Sequence, residues 1–185
     1  MRRERVVPPA NNGAKFPGNS DVAGGLLAEN IPVEHSARIN SYGLREVMPM
    51  ISRRPALEAD KPFLLQLEET CMRDYAVALW GSWPSDLTRN SIDGCEIILD
   101  DGHDVGCVTV EKHGDHLWLD ELFIEPGFQR RGIGSRILSS LIGDAQGLEI
   151  PLRLSVLTTN PALDFYLRHG FRIYRETAER HYFVR

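Results

Sequence analysis

Three strand-like runs joined by short turns constrain the fold of this chain more than any other feature. The runs are CEIIL, VGCVTVE and LWLDELFI, and the turns between them are DDGHD and KHGDH. Apolar residues dominate the runs, whereas Gly, Asp and His dominate the turns. Because turns this short join neighbouring strands of opposite direction, the stretch from Cys95 to Ile124 predicts an antiparallel meander.

Helices and strands on either side of the meander complete a mixed pattern. Before it, the strand ISRRPAL precedes two helical stripes with little or no break between them; Asp60 is the expected cap of the first, and Gly81 with Pro84 ends the second. After it come a helix ending near Ala145, the strand LRLSVL, a helix from Pro161 to His169, and the strands FRIYR and HYFVR. The order βααβββαβαββ predicts an α/β (α+β) domain whose helices flank a central mixed, mostly antiparallel sheet.

Residues 1–50 differ from the rest of the chain. They are rich in Gly, Pro, Asn and Ser and show neither a helical nor a strand period, which predicts a flexible extension before a domain at 51–185. Met48 and Met50 stand immediately before the first ordered strand, so the natural start of translation could lie there.

Composition excludes several classes of protein. Apolar residues make up 42% and charged residues 25% of the 185, and no apolar run approaches the ~20 residues that cross a bilayer. The amino terminus lacks the apolar stretch of a signal peptide, so a cytoplasmic protein, monomeric or homodimeric, is expected. The net charge of -5 gives no basic footprint for nucleic acid, and the three cysteines lack metal-type spacing and are expected to be reduced core residues.

The stretch IEPGFQRRGIGS, from Ile124 to Ser135, is typical of an anion site. It joins a strand to a helix whose apolar positions are Ile133, Ile137, Leu138, Leu141 and Ile142. Backbone N–H groups at a helix start are unpaired and lie at the positive end of the helix dipole. A Walker loop would need a Gly-Lys-Ser or Gly-Lys-Thr ending, and a dinucleotide loop a third glycine where Ile137 stands, so neither fits.

Two blocks resemble the GNAT superfamily of N-acetyltransferases. QRRGIG, Gln129 to Gly134, is similar to that family's acyl-coenzyme A pyrophosphate loop, and NPALDFYLRHGF, Asn160 to Phe171, is similar to its later helix with an aromatic pair before Gly-Phe. The element order also matches, so the resemblance covers roughly 51–185.

The resemblance implies a GNAT fold, acetyl-coenzyme A as co-substrate and no metal. The pyrophosphate would rest on the loop and the pantetheine would run along the preceding strand like an added strand. The residues implied in coenzyme binding are Leu122, Phe123, Ile124, Gln129, Arg130, Arg131, Gly132, Ile133, Gly134, Ser135, Asn160 and Tyr166.

Acetyl transfer to an amine needs a group that accepts the amine's proton and a group that protonates the thiolate. By resemblance Tyr166 is the general acid, with a core aromatic as the alternative. Strand alternation places Asp120 and Glu121 on opposite faces. Asp120 shares its face with Trp118, which is the parity at which family members with a base on this strand carry it, so the resemblance favours Asp120 as base with Glu121 second. The family generally uses direct attack in a ternary complex, so no cysteine nucleophile is implied.

Two departures from the family pattern narrow the implied activity. Members that acetylate the amino terminus of a ribosomal protein carry a glutamate where Ser155 stands, which argues against that activity. Asn160 and Tyr166 are six positions apart rather than seven, so Asn160 is either a pantetheine contact or an N-cap before Pro161.

The acceptor is the least defined part of this prediction. A small-molecule or peptide amine is expected, with an acceptor wall formed by Arg73, Tyr75, Trp80 and Trp83 or, for Tyr75 and Trp80, a core role. A non-catalytic acyl-coenzyme A sensor is the alternative, and acetylation of aminoacyl-tRNA would need a basic surface. His113 and His116 lack further well-spaced partners for a metal and fit a polar hairpin turn.

Overall fold

The computed structural model describes residues 50–83 and 91–185, together with the backbone of two short strands before them. The strands are β1 (Arg38–Ile39), β2 (Arg45–Glu46), β3 (Ile51–Pro55), β4 (Cys95–Asp100), β5 (His103–Lys112), β6 (Leu117–Ile124), β7 (Leu152–Leu157), β8 (Arg172–Glu176) and β9 (Arg180–Val184). The helices are α1 (Lys61–Trp80), α2 (Ile133–Gly147) and α3 (Leu163–Arg168). No helix among the described residues is long and apolar enough to span a membrane.

Strands β3 to β9 form one mixed sheet in the order β3-β4-β5-β6-β7-β9-β8. All neighbours are antiparallel except β6 and β7, which are parallel. Helix α2 makes the connection between those two strands, as parallel pairs require. The predicted meander and the mixed, mostly antiparallel sheet are therefore confirmed.

The two faces of the sheet have separate apolar cores. On the face that we call the α2 face, β5, β6, β7 and β9 pack with α2 and α3; Leu138 and Phe183 are fully buried there. On the opposite face, which we call the α1 face, Leu64 and Leu67 of α1 cover Ile97 and Cys107. Both helices bury one apolar stripe, which is the arrangement that their sequence period predicts.

The two helical stripes before the meander form one continuous helix, which corrects the predicted order. No glycine or proline interrupts α1 between Phe63 and Trp80, so nothing in the sequence stops helical hydrogen bonding at the junction. The helix ends at Gly81 in the left-handed conformation, with φ of 80°, as predicted. Pro84 lies outside the described residues.

Asp60 does not cap α1, although it precedes the helix. Its carboxylate accepts a hydrogen bond from the Leu57 N–H at 2.8 Å and two from the Arg54 guanidinium at 2.7 and 3.0 Å. Because the Arg54 guanidinium donates to it, the pKa of the Asp60 carboxyl is lowered. The residue ties α1 to β3 rather than to its own first turn.

Strands β1 and β2 pair antiparallel within the segment predicted to be an extension. The rest of residues 1–49 lies outside the described part of the chain, and so does the proposed translation start at Met48. The boundary at residue 50 stays a prediction.

Candidate active site

Strands β6 and β7 separate part-way along their length and leave a wedge in the sheet. They pair from Leu117–Leu152 to Leu119–Leu154. Beyond that point β6 continues to Ile124 along β5, while β7 continues to Leu157 along β9. The inner edges of both strands therefore carry backbone groups that the β6–β7 ladder does not use, and these are the groups that an added strand-like ligand would pair with.

A β-bulge in β6 lies where the wedge opens, and it corrects the predicted alternation of Asp120 and Glu121. Leu119 pairs with Val110 and Glu121 pairs with Thr109, so Asp120 is the extra residue. After the bulge Glu121 and Phe123 pair with residues of the α1 face, whereas Leu122 and Ile124 pack into the α2 face. Sequence alternation cannot reveal such a bulge, because it exists only in the pairing with β5.

The two carboxylates have different surroundings. Asp120 is exposed beside Trp118, whose indole N–H donates to its Oδ1 at 3.3 Å. Glu121 is half-buried, and its Oε2 accepts a hydrogen bond from the hydroxyl of buried Thr109 at 2.7 Å. One carboxylate therefore faces solvent at the opening of the wedge, and the other is held under α1.

The glycine loop, residues 129–134, follows β6 and leads directly into the first turn of α2. Arg130 and Gly132 both have left-handed backbones, with φ of 62° and 85°. The first α2 hydrogen bond runs from the Arg136 N–H to the Gly132 carbonyl at 3.0 Å. The N–H groups of Ile133, Gly134 and Ser135 thus have no intrahelical acceptor, which leaves them available for an anion.

Two loop side chains hold the loop itself. Gln129 donates its amide to the Ile124 carbonyl at 2.8 Å. Arg131 donates to the Gly127 carbonyl at 2.7 Å and lies over the Phe128 ring at 4.8 Å. The structure thus gives both residues a part in shaping the loop, which their sequence positions did not show.

Tyr166 lies on α3 in an aromatic cluster on the α2 face. Its side chain is 8% exposed and its ring contacts those of Phe165, Phe171 and Phe183 at centroid distances of 5.1 to 5.8 Å. Burial raises the pKa of the Tyr166 phenol, which therefore keeps its proton at neutral pH. Phe165 lies 3.6 Å from the position of a Cβ on Gly134, so α3 adjoins the start of α2 and the loop.

Helix α1 bridges the open end of the wedge. On the β6 side the Cys71 thiol donates to the Ile124 carbonyl at 3.5 Å. On the β7 side the Thr159 hydroxyl donates to the Tyr75 carbonyl at 2.9 Å, and the Asn160 amide approaches the Met72 sulfur at 3.9 Å. The Asn160 Oδ1 also accepts from the Ala162 N–H at 2.9 Å, which is the local turn bond expected of a residue just before a helix.

The residues predicted to wall the acceptor site follow α1 without forming one group. Arg73 pairs with Glu69 on the helix surface. Trp80 is 38% exposed at the end of the helix, and Trp83 is half-buried just beyond it. Tyr75 is half-buried and serves the bridge through its backbone carbonyl.

A cluster of thiols and one carboxylate lies on the α1 face, and the sequence did not predict it. Ligand atoms of Cys95, Cys107 and Glu121 lie within 4.8 Å of one another. The cysteines are 12 positions apart in the chain and are brought together by the pairing of β4 with β5. By contrast, His113 and His116 stack in the turn that the sequence predicted, with His116 bonded to Asp115.

Comparison with known protein families finds a match for part of the domain. Residues 93–173, which include the meander, the glycine loop and α3, match a family model described as an acetyltransferase (GNAT) domain. Over these residues the chain is similar to GNAT acetyltransferases. The match supports an acyltransferase, and a comparison with curated protein sequences finds no significant match.

Solved structures show the same fold. An N-acetyltransferase named PaiA from Thermoplasma acidophilum, in complex with coenzyme A, has a TM-score of 0.58 at 14% identity over 73% of this chain and 98% of that one. An acetyltransferase from Thermus thermophilus has a TM-score of 0.58 at 22% identity over 73% and 96%. Naa50 from Arabidopsis thaliana, in complex with the bisubstrate analogue CoA-Ac-MVNAL, has a TM-score of 0.54 at 18% identity over 73% and 97%.

Proposed function

We propose that this protein is an N-acetyltransferase that transfers the acetyl group of acetyl-coenzyme A to a primary amine by direct attack in a ternary complex. The observation that carries the proposal is the juxtaposition of a wedge between β6 and β7 with a backbone anion site at the start of α2. Coenzyme A contains both a pyrophosphate and an amide-bearing arm, so it fits a site with N–H donors at the start of α2 and with strand edges that the β6–β7 ladder does not use.

The coenzyme would be held chiefly by backbone groups. Its pyrophosphate would meet the N–H groups of residues 130–135, and its pantetheine would lie along residues 122–124 in the wedge. Gln129 and Arg131 would keep the loop in its conformation. Asn160 would lie beside the pantetheine arm on the β7 side of the wedge. Solved structures of fold neighbours in complex with coenzyme A or with a coenzyme A analogue support coenzyme A as the ligand.

Two side chains would move protons during the transfer. Asp120, exposed where the wedge opens, would accept the proton of the attacking amine through water, with Glu121 as the second candidate. The Tyr166 phenol, which is protonated at neutral pH, would donate to the departing thiolate. Much of the rate enhancement would come from holding amine and thioester together.

The coenzyme site is tested by a pair of glycine variants. Gly132→Ala forces a side chain onto a backbone with φ of 85°, which distorts the anion site, whereas Gly143→Ala sits in α2 with open space around its Cβ. Isothermal titration with acetyl-coenzyme A should show micromolar binding by the wild type and Gly143→Ala. It should show at least about tenfold weaker binding by Gly132→Ala. Failure of the wild type to bind would reject the proposal.

The catalytic assignment is tested by thiol release against pooled primary amines. Tyr166→Phe keeps the packed ring, so turnover should fall on the order of a hundredfold while coenzyme affinity holds. Asp120→Asn should lower turnover more than Glu121→Gln. Unchanged turnover in Tyr166→Phe would remove it as the acid, and coenzyme binding without thiol release from any amine would favour an acyl-coenzyme A sensor.

A further inference from the structure

The α1 face of the three C-terminal strands carries a group of arginines and tyrosines. Ladder pairing places Arg153, Ser155 and Leu157 of β7 beside Val184, Tyr182 and Arg180 of β9, and Tyr182 beside Arg175 of β8. The opposite side chains, Leu154 and Phe183, are buried in the α2 face. We call this group the arginine face; its members are Arg153, Arg172, Tyr174, Arg175, Arg180 and Tyr182.

The arginine face is ordered by its own contacts. Arg180 donates to the Ser155 hydroxyl at 3.0 Å, and the Arg175 guanidinium lies 4.3 Å from the centroid of the Tyr182 ring. Tyr174 contacts the Tyr182 ring, and Arg153 lies over Tyr174 at 6.0 Å. Because these side chains are held against aromatic rings or a hydroxyl, less conformational freedom would be lost when they bind a ligand.

The charge of this face is strongly one-sided. Within β7, β8 and β9, which the structure describes in full, the only acidic residue is Glu176, and it pairs with His181 on the other face. Arg153 lies 3.5 Å from the Asp115 carboxylate, so part of its charge is compensated. Arg172, Arg175 and Arg180 therefore carry most of the positive potential of this face, although the whole chain has a net charge of -5. Of these three, Arg175 is held against Tyr182 and Arg180 against Ser155, whereas Arg172 pairs with Val184.

The position of the arginine face relates it to the reacting groups. Ser155, which holds Arg180, is the first β7 residue after the last β6–β7 pair, and Asp120 follows that pair on β6. Asp120 and Trp118 flank the same opening, and Trp118 pairs with Arg153. An acceptor at this point would meet a carboxylate on one side and guanidinium groups on the other.

We propose that the acceptor is a small primary amine that also carries an anionic group, either a carboxylate or a phosphate, bound by Arg175 and Arg180. This inference rests on the proposed acetyltransferase function and specifies its substrate class. The amine would face Asp120 while the anion binds the guanidinium groups, whose planar donor fork matches both carboxylate and phosphate. The arrangement orients the amine and disfavours acceptors that lack the anion.

Matched acceptor pairs test this proposal. Each pair differs in the anionic group: an α-amino acid and its carboxamide for the carboxylate, and O-phosphoethanolamine and ethanolamine for the phosphate. With kcat/KM expressed per deprotonated amine, the anionic member of at least one pair should react at least about tenfold better, and added salt should reduce that preference. The pair that shows it identifies the source of the anion.

Variants locate the preference. Arg180→Met and Arg175→Met should each lower kcat/KM for the anionic member about tenfold or more and change the neutral member by less than about twofold. Arg180→Lys should restore part of the loss, because it keeps the charge without the fork. Lys112→Met, which removes an exposed positive charge at the far end of β5, should change neither member.

The outcomes separate this inference from the function on which it rests. Equal or better reaction of the neutral members, equal losses on both members in Arg180→Met, or coenzyme binding without reaction of any anionic amine would each overturn it. Failure of the wild type to bind acetyl-coenzyme A in the parallel titration would instead reject the acetyltransferase proposal. Unchanged coenzyme affinity in Arg180→Met is expected in all cases where the inference holds.

Discussion

The α1 face of the sheet is built in two different ways on the two sides of the wedge. On β4 to β6 it is covered by α1 and consists of apolar residues and thiols, with Leu64, Ile97 and Cys107 fully buried. On β7 to β9 it carries arginines and tyrosines that are half-buried or exposed. One side of the face is therefore part of the core, and the other is the side proposed to bind the acceptor, although both belong to the same sheet.

The largest expected effect concerns the covered side. Leu64→Ala should lower the free energy of unfolding by about 2–5 kcal/mol, because a fully buried leucine leaves a cavity when truncated. Leu65→Ala, one position along the same helix and 37% exposed, should cost much less. Chemical denaturation of both variants measures the difference, and equal losses would show that α1 does not seal this side.

The thiols of the covered side should be inert in the folded protein. Burial raises the pKa of the Cys71 thiol to about 11, and only the thiolate is nucleophilic. Alkylation of Cys71 by iodoacetamide at pH 8 should therefore be on the order of a hundredfold slower than in urea. Mass spectrometry of the digested protein gives both rates, and fast labelling in the native state would contradict the described burial.

The link from β3 to α1 should respond to acid. The Asp60 pKa is lowered in the folded state, so its ionised form stabilises the fold above the ordinary carboxyl pKa near 4. Stability should be lost as the pH falls through the lowered value. Asp60→Asn should cost about 1–2 kcal/mol at pH 7, and the difference from wild type should shrink below about pH 4. A difference that stays constant with pH would place its origin elsewhere.

The smallest expected effect concerns the open side. Arg175→Met removes an exposed cation–π contact with Tyr182, so it should change the free energy of unfolding by no more than about 1 kcal/mol. The same variant is expected to weaken acceptor recognition strongly. A loss of stability comparable to that of Leu64→Ala would mean that the open side is also structural.

Local patterns in the sequence were enough to predict most of the elements of the domain and the loop before α2. Strand alternation, short turns and the stripe after Gly132 depend on neighbours in the chain, so the meander and α2 followed from them, whereas the anion site before α2 stays a prediction. The single helix α1 was missed because its two apolar stripes were read as two helices, although no glycine or proline separates them. Asp60 was assigned to the wrong partner because Arg54 reaches it from β3.

The features that needed the structure are those created by pairing between distant segments. The bulge at Asp120 depends on the β5 register, and the cluster of Cys95, Cys107 and Glu121 depends on three adjacent strands. The arginine face likewise gathers residues from three strands whose order in the sheet, β7-β9-β8, differs from their order in the chain. The net charge of the chain does not reveal this local positive group, because the chain has more acidic than basic residues.

The bridge from α1 to both edges of the wedge has a consequence for the energetics of ligand entry. Cys71 is bonded to the end of β6 and Tyr75 to the segment after β7, so one rigid helix sets how far apart the two strands stand. Because the fold already sets the distance between β6 and β7, a ligand that enters the wedge does not have to bring the strands together. Little of the binding free energy is then lost in ordering the protein. Under the proposed function, shortening α1 by one turn should release this fixed spacing, so that the coenzyme dissociates faster and binds more weakly.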